Sequence, residues 1–323
     1  MNGRISPFLI QRLAILLAGN LVLLLAIGFL IKEGGSFMEV LTRVGPNVAP
    51  IILAGLGLTG IIFTGAIDLS IASIVVVSGT VFAILVHHGL PPIACYVACA
   101  ITAWSLSLFN GYLVRTLKVP SIIITLAGLP FYRGMALILA ELGIPNFGGN
   151  LSVQDELYHA PGKLYSGWIL FAVLLLALLW EAFGKTPRRW LALGNSEEAC
   201  RLLGLRPEGI RLSAFFMGGL FLGLAALIYV TRVQSVEPAR MALGFELQVI
   251  GAVVLGGTNI FGGEGSFLGT VLGALFLHLT GELLIYAGVN PYFQEAITGA
   301  LIITVIGMDC LLHRKERMLE EIA

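Results

Sequence analysis

The stretch LAILLAGNLVLLLAIGFLI, from Leu13 to Ile31, runs the thickness of a bilayer without a single charge. A hydrocarbon core of about 30 Å needs roughly 20 apolar residues of helix, so this stretch reads as a membrane span. Arg4 and Arg12 precede it as they would a signal peptide. The run is long, however, and ends in Lys32-Glu33-Gly34-Gly35 with no small-residue cleavage site, so an uncleaved first span is expected.

Outward from this stretch the same pattern repeats. Apolar runs near residues 10–31, 47–63, 67–87, 91–114, 120–140, 164–183, 210–233, 245–258, 266–287 and 293–312 alternate with short polar breaks. The expected fold is an all-α integral membrane protein of about ten transmembrane helices, a single transmembrane domain over 1–323. The eighth run is short and fits a tilted, re-entrant or broken helix. Composition agrees: 57% of residues are hydrophobic, 12% are charged and the mean hydropathy is +0.93, so the natural solvent is membrane lipid.

Basic residues are enriched on the cytoplasmic side of membrane proteins. With both termini cytoplasmic, the inner segments collect most of the 19 Lys and Arg, including Arg115, Lys118, Arg188, Arg189, Arg201, Arg206, Arg211 and Arg314. Zero net charge and the lack of a basic, aromatic-interleaved face give no indication of nucleic acid. Cys95 and Cys99 share a helix face without further ligands at metal spacing, so they read as packing residues and no metal is expected.

Polar punctuation marks the positions to watch. In Gly65–Ser73 (GAIDLSIAS), Asp68, Ser70 and Ser73 enter an apolar run near an inner helix end. Asp68 with Ser70 fits a helix cap, while an ionisable group at membrane depth also fits a gate or solute pathway. Asn110 and Thr125 are pathway candidates; Thr102, Ser105, Ser107 and Thr125 also suit hydroxyl bonds one turn back. Arg133 suits an interface anchor as well as the pathway. Gly265, Gly269 and Gly273 recur every four residues as a helix-packing stripe. The glycine-rich turn before it lacks the lysine of a Walker loop, and its Asn259 and Phe261 are further pathway or gate candidates.

The segment 184–209 is the most legible piece outside the spans. Asn195 and Glu198 have capping-box spacing, Glu197 and Arg201 form an i,i+4 pair, and Gly204 with Pro207 ends the element. A helix near 196–203, about 12 Å long, is too short to stand alone and must lean on the spans or on a partner. Outside, 141–163 is the largest exposed loop, without a charge cluster that names a ligand.

These motifs, together with Lys118–Leu126 (KVPSIIITL), Arg133–Leu139 (RGMALIL), Leu193–Leu205 (LGNSEEACRLLGL), Leu255–Ala274 (LGGTNIFGGEGSFLGTVLGA) and Gly288–Gly299 (GVNPYFQEAITG), stand in an order that resembles the permease subunits of bacterial ABC importers for monosaccharides. That group contains the ribose, galactose and xylose systems and related quorum-signal importers. Branched-chain amino acid and nucleoside permeases are more distant, since Ile67-Asp68-Leu69-Ser70 and the turn at 261–266 favour the sugar branch. The resemblance spans about 45–310. Ala66, Ala72, Asn195 and Ala127 depart from it where such permeases often have glycine.

The resemblance implies a permease of the bacterial inner membrane that pairs with a second copy or a related chain around a central path. It implies an ATP-binding cassette subunit that binds ATP and Mg, and an extracytoplasmic solute-binding protein that delivers a small polar solute. No cofactor or catalysis is expected in this chain. Asn195, Glu197, Glu198, Ala199, Arg201, Leu203 and Gly204 then correspond to the coupling helix seated on the ATPase, and Gln294 joins the pathway candidates.

Two other classes compete. An ion-coupled transporter would place a carboxylate near mid-membrane, whereas Asp68, Glu264 and Asp309 map to inner ends and Glu141 and Glu246 to outer ends. An intramembrane enzyme needs a convergent nucleophile and base, and His87, His88, His159, His278 and His313 are not paired at catalytic spacing, His278 standing alone in its span.

Overall fold

A computed structural model of the chain describes residues 7–31, 37–146, 148–153, 156–233 and 235–290, with short pieces between 293 and 307. The elements run α1 (Pro7–Leu30), α2 (Phe37–Phe63), α3 (Ile71–His87), α4 (Pro92–Leu117), α5 (Ser121–Gly143), β1 (Leu151–Ser152), a 3₁₀ turn (Glu156–His159), α6 (Ala160–Lys163), α7 (Ser166–Phe183), α8 (Lys185–Asn195), α9 (Glu197–Leu202), α10 (Pro207–Val233), β2 (Ser235–Val236), α11 (Phe245–Leu255) and α12 (Phe267–Tyr286). Among the described residues seven helices are long and apolar enough to cross a membrane: α1, α2, α4, α5, α7, α10 and α12.

Of the helices expected at 67–87 and 245–258, the first departs from the sequence expectation and the second agrees with it. The first starts only at Ile71 because residues 64–70 turn back to bond with Asn110 and α5, leaving a 17-residue α3. The second, α11, has 11 residues, in keeping with a short or broken span. The span expected at 293–312 lies partly outside the described residues, and the pieces described between 293 and 307 are helical.

α2 and α10 form the centre. Most of each is buried, and α10 packs on α2, α3 and α4. Small residues permit the approach: a Cβ at Gly57 would stand 2.7 Å from the Gly218 carbonyl, and one at Gly223 would stand 2.7 Å from that of Ala100. α1, α4, α5 and α7 ring this centre and keep most of their surface outward, as lipid-facing helices do.

The segment 141–163 is not simply an exposed loop. β1 pairs antiparallel with β2, Leu151 opposite Val236. His159 is buried, its ring nitrogens each 2.8 Å from a carbonyl, of Thr231 and of Val153, and Tyr158 donates to the Leu90 carbonyl at 2.9 Å. This tie fixes the loop to the end of α10.

Candidate functional site

The site begins where α2 stops. Gly65 takes a left-handed conformation (φ +73°), and the chain passes under α5. There the Ile67 N–H donates to Ser121 Oγ at 2.9 Å, and Thr125 Oγ1 donates to the Ile67 carbonyl at 3.2 Å. Both backbone polar groups of Ile67 are thus held by one helix.

Asp68 follows, fully buried. Its Oδ1 accepts the Ser70 N–H at 2.9 Å and the Ser70 hydroxyl at 2.6 Å, an Asx-type turn that stops short of capping α3, whose N-cap is Ser70. Asn110 Nδ2 donates to Ser70 Oγ at 2.8 Å and lies 3.4 Å from Asp68 Oδ2. Tyr132 Oη donates to Asn110 Oδ1 at 2.6 Å. Every donor points the same way, from Tyr132 through Asn110 and Ser70 to the carboxylate. In this chain the Ser70 hydroxyl accepts once, from Asn110, and donates once, to Asp68, while the Tyr132 hydroxyl donates to Asn110. The network pins the start of α3 to α4 and α5. With every member buried, it holds helices in position and offers no surface to a solute.

Sequence reasoning missed Tyr132. The available signal is that a tyrosine hydroxyl inside an apolar span needs a partner.

The second part is the pair α8 and α9. α8, missed in the sequence, buries Pro187, Trp190 and Leu193 while Lys185, Arg188 and Arg189 stay exposed. Trp190 donates from its indole N–H to Ser213 Oγ at 2.8 Å and stands perpendicular to Trp180, ring centroids 5.1 Å apart. α9 is capped by Ser196, whose Oγ accepts the Ala199 N–H at 3.1 Å; Asn195 closes α8 instead. The capping-box role expected of Asn195 and Glu198 is therefore corrected by one residue, both Asn and Ser being competent caps.

α9 leans on its own chain. Cys200 is buried, and Glu197 receives Arg201 at 2.8 Å and Arg211 at 3.0 Å, while Arg201 also reaches Glu208 at 3.2 Å. Leu202 and Leu203, 84% and 78% exposed, stand out with Glu198, Ala199 and Gly204. Hydrogen bonds from Arg201 and then Arg211 hold the Glu197 carboxyl below its ordinary value of 4.5. A carboxyl lowered on folding adds stability that is complete above the unfolded value and lost as pH falls through the folded one. Amide exchange of α9 should accordingly rise below about pH 4.5. The effect is small because solvent screens the pair. Flat exchange across that range would remove the anchoring role.

A glycine junction joins the two parts. A Cβ on Gly194 would stand 2.1 Å from the Phe63 carbonyl oxygen and 2.3 Å from the Gly263 nitrogen; one on Gly262 would meet the Gly65 nitrogen at 2.6 Å. The Gly263 N–H donates to the Phe63 carbonyl at 3.2 Å, and Asn195 Nδ2 donates to the Gly263 carbonyl at 3.0 Å. The ends of α2 and α8 and the loop 256–266 thus touch backbone to backbone. A cavity of about 470 Å³ lies beside them, lined by Gly65, Gly111, Arg115, Lys118, Arg201 and Arg211 among others.

The other expected residues are placed as follows. Gly269 and Gly273 lie against α11, where a Cβ would stand 2.0 Å from the Gly256 oxygen and 2.2 Å from the Ala252 oxygen; Gly265 faces Phe63 and Thr258. Asn259 Oδ1 accepts the Phe261 N–H at 3.0 Å within the loop, leaving Phe261 exposed. Arg133 donates to the carbonyls of Pro238, Ala239 and Met241 at 3.1–3.3 Å, clamping the segment after β2. Thr125 also bonds one turn back to Ser121 at 3.0 Å, whereas Ser107 reaches across to the Phe215 carbonyl at 3.2 Å, contrary to expectation. Ser73 is buried without a partner among the described residues, and Gln294 donates to the Val289 carbonyl at 2.8 Å. His278 is not alone: its Nε2 lies 3.7 Å from Glu282 Oε1, and Arg232 bonds Asn47 nearby. Among the described residues no group of three His, Cys, Asp or Glu could hold a metal.

The family model described as "Branched-chain amino acid transport system / permease component" matches residues 40–306. An autoinducer 2 import system permease protein, LsrC, of Escherichia coli (strain K12 / DH10B) is 32% identical over 90% of this chain and 85% of its own length. That of Photorhabdus laumondii is 30% identical over 84% and 81%. In fold, the chain is similar to a metal-chelate type ABC transporter solved in an inward-facing conformation, with a TM-score of 0.53, 14% identity, and coverage of 91% of this chain and 99% of that one.

Proposed function

We propose, from the premise that this chain belongs to the branched-chain amino acid transport type of ABC-importer permease components, that it forms the path by which a small polar solute of the sugar class crosses the bacterial cytoplasmic membrane. As a multi-pass permease component it is not itself the catalytic subunit and carries no cofactor. ATP hydrolysis belongs to an ATPase partner, and solute delivery to a binding protein. The finer reading has the termini and α9 facing the cytoplasm, about ten spans, and two permeases, copies or relatives, around one path. The solute is a monosaccharide, or the autoinducer 2 that the relatives' names carry.

The observation that supports this most is the exposed tip of α9, Leu202 and Leu203, on a helix that follows directly on α8, whose last residue Asn195 donates to the Gly263 carbonyl at the junction. ATP-driven closure of the ATPase pair pushes α9; α8 passes the displacement to α2 and to the loop 256–266. The segment that starts α3 moves with α2, and the path reopens inward. A loaded binding protein must favour one of the two states for this cycle to carry solute.

Mild purification of the tagged protein from its native membrane tests the reading. A stoichiometric Walker-motif ATPase is expected in the eluate, and ATP-dependent uptake of ribose, galactose, xylose or autoinducer 2 in vesicles names the solute. A chain that arrives alone from crosslinked membranes, with uptake that collapses with the ion gradient, would favour a secondary transporter. Replacing Glu198 or Arg201 should uncouple ATP hydrolysis from uptake while the protein stays in the membrane. Unchanged transport in both variants would remove the coupling assignment.

A further inference from the structure

At the end of the molecule opposite α9, a cavity of about 410 Å³ lies between α2 and the start of α7, lined by Pro46, Lys163, Leu164, Ser166, Gly167, Trp168 and Phe171. Three features converge there. α7 has no side-chain cap at Tyr165, and its first intrahelical bond with Tyr165 is made by Ile169, so the N–H groups of Ser166, Gly167 and Trp168 lack helical acceptors. Ser166, 1% exposed, keeps a hydroxyl with no partner among the described residues. Lys163 is exposed and has no anionic partner among them. Free amides at a positive helix end, a hydroxyl and an ammonium are the donor set of a phosphate group.

The walls give the rest of the ligand. Trp168 and Phe171 are 75% and 64% exposed on a helix that turns most of its surface outward, and Leu164 and Pro46 complete an apolar lining. Aromatic side chains at this position sit at headgroup level. We propose that the cavity is a phospholipid site, with the phosphate at Lys163, Ser166 and the α7 amides and an acyl chain along Trp168 and Phe171. The apolar walls favour a lipid over free phosphate. The site lies away from the junction and stands whether or not the transport reading does.

The test uses the full chain in vesicles doped with brominated phosphatidylglycerol or brominated diacylglycerol. Quenching of Trp168 is isolated by subtracting a Trp168→Phe control. Saturable quenching by the phospholipid at lower mole fraction than by diacylglycerol is expected, and Lys163→Gln should raise the half-quenching fraction about fivefold. Gly167→Leu should abolish the saturable component by filling the cavity; a Cβ there meets nothing within 4 Å, so the variant is expected to fold. Equal quenching by the two lipids, or no change in both variants, would overturn the proposal. Displacement of the phospholipid by millimolar inorganic phosphate would replace it with a free-anion site.

Discussion

Gly194→Val is expected to abolish solute uptake while leaving the protein inserted in the membrane. The Cβ alone would stand 2.1 Å from the Phe63 oxygen and 2.3 Å from the Gly263 nitrogen, and neither obstacle is a flexible side chain. Relief requires the ends of α2 and α8 and the loop 256–266 to part, at a cost of about 3 kcal/mol or more, at the high end of overpacking. Parting them also breaks the Gly263 to Phe63 bond and the Asn195 latch. The measurable outcome is an assembled complex whose ATPase activity no longer responds to the loaded binding protein. Gly209→Ala is the control. Its Cβ meets only Arg206 at 3.9 Å, and the change should stay within about 0.5 kcal/mol of wild type. Normal coupling in Gly194→Val would show that the junction transmits nothing.

The second large effect falls on Asp68. In Asp68→Ala the Ser70 N–H and hydroxyl lose their shared acceptor in a fully buried place, and each buried donor left unpaired costs about 1–3 kcal/mol. Asp68→Asn keeps an oxygen where Oδ1 stands and loses the charge assistance and the 3.4 Å acceptor for Asn110, about 1 kcal/mol. The expected pattern is uptake reduced more than about tenfold in the alanine variant and largely restored in the asparagine one. Hydrogen exchange across 64–75 should rise in parallel. If instead Asp68→Asn is as inactive as Asp68→Ala while exchange stays at the wild-type level, the carboxylate acts on the solute or a coupling ion and not through Ser70.

Much of this was legible in the sequence, for a physical reason. Spans are written as length and apolarity, and 10–31, 91–114 and 164–183 need no tertiary information to be seen; they match α1, α4 and α7 closely. The Glu197 and Arg201 pair is likewise local, set by helical spacing. Legibility fails where a residue's role depends on a neighbour far along the chain. Ser70 ends the extended segment because Asn110 and Asp68 hold it, so the boundary of α3 is set by contact forty residues away. α8 escaped notice because Lys185, Arg188 and Arg189 mask a narrow apolar face, yet Trp190 and Leu193 three apart were its visible sign. Gly194 and Gly263 carry no chemistry of their own, and their meaning lies wholly in the backbone that crosses them.

α1 illustrates what such distant contacts mean for biogenesis. Arg12 donates to the Val254 carbonyl at 2.8 Å and Asn20 to that of Leu272 at 3.1 Å, while most of the helix faces outward. Both acceptors belong to elements translated more than two hundred residues later. The helix must therefore enter the bilayer as a lodger among lipids, its arginine and asparagine provisionally solvated, and find its berth only after α11 and α12 have left the ribosome. A truncated nascent chain that stops before α11 should leave α1 open to crosslinking with lipid or with the insertion machinery, and the finished chain should close it.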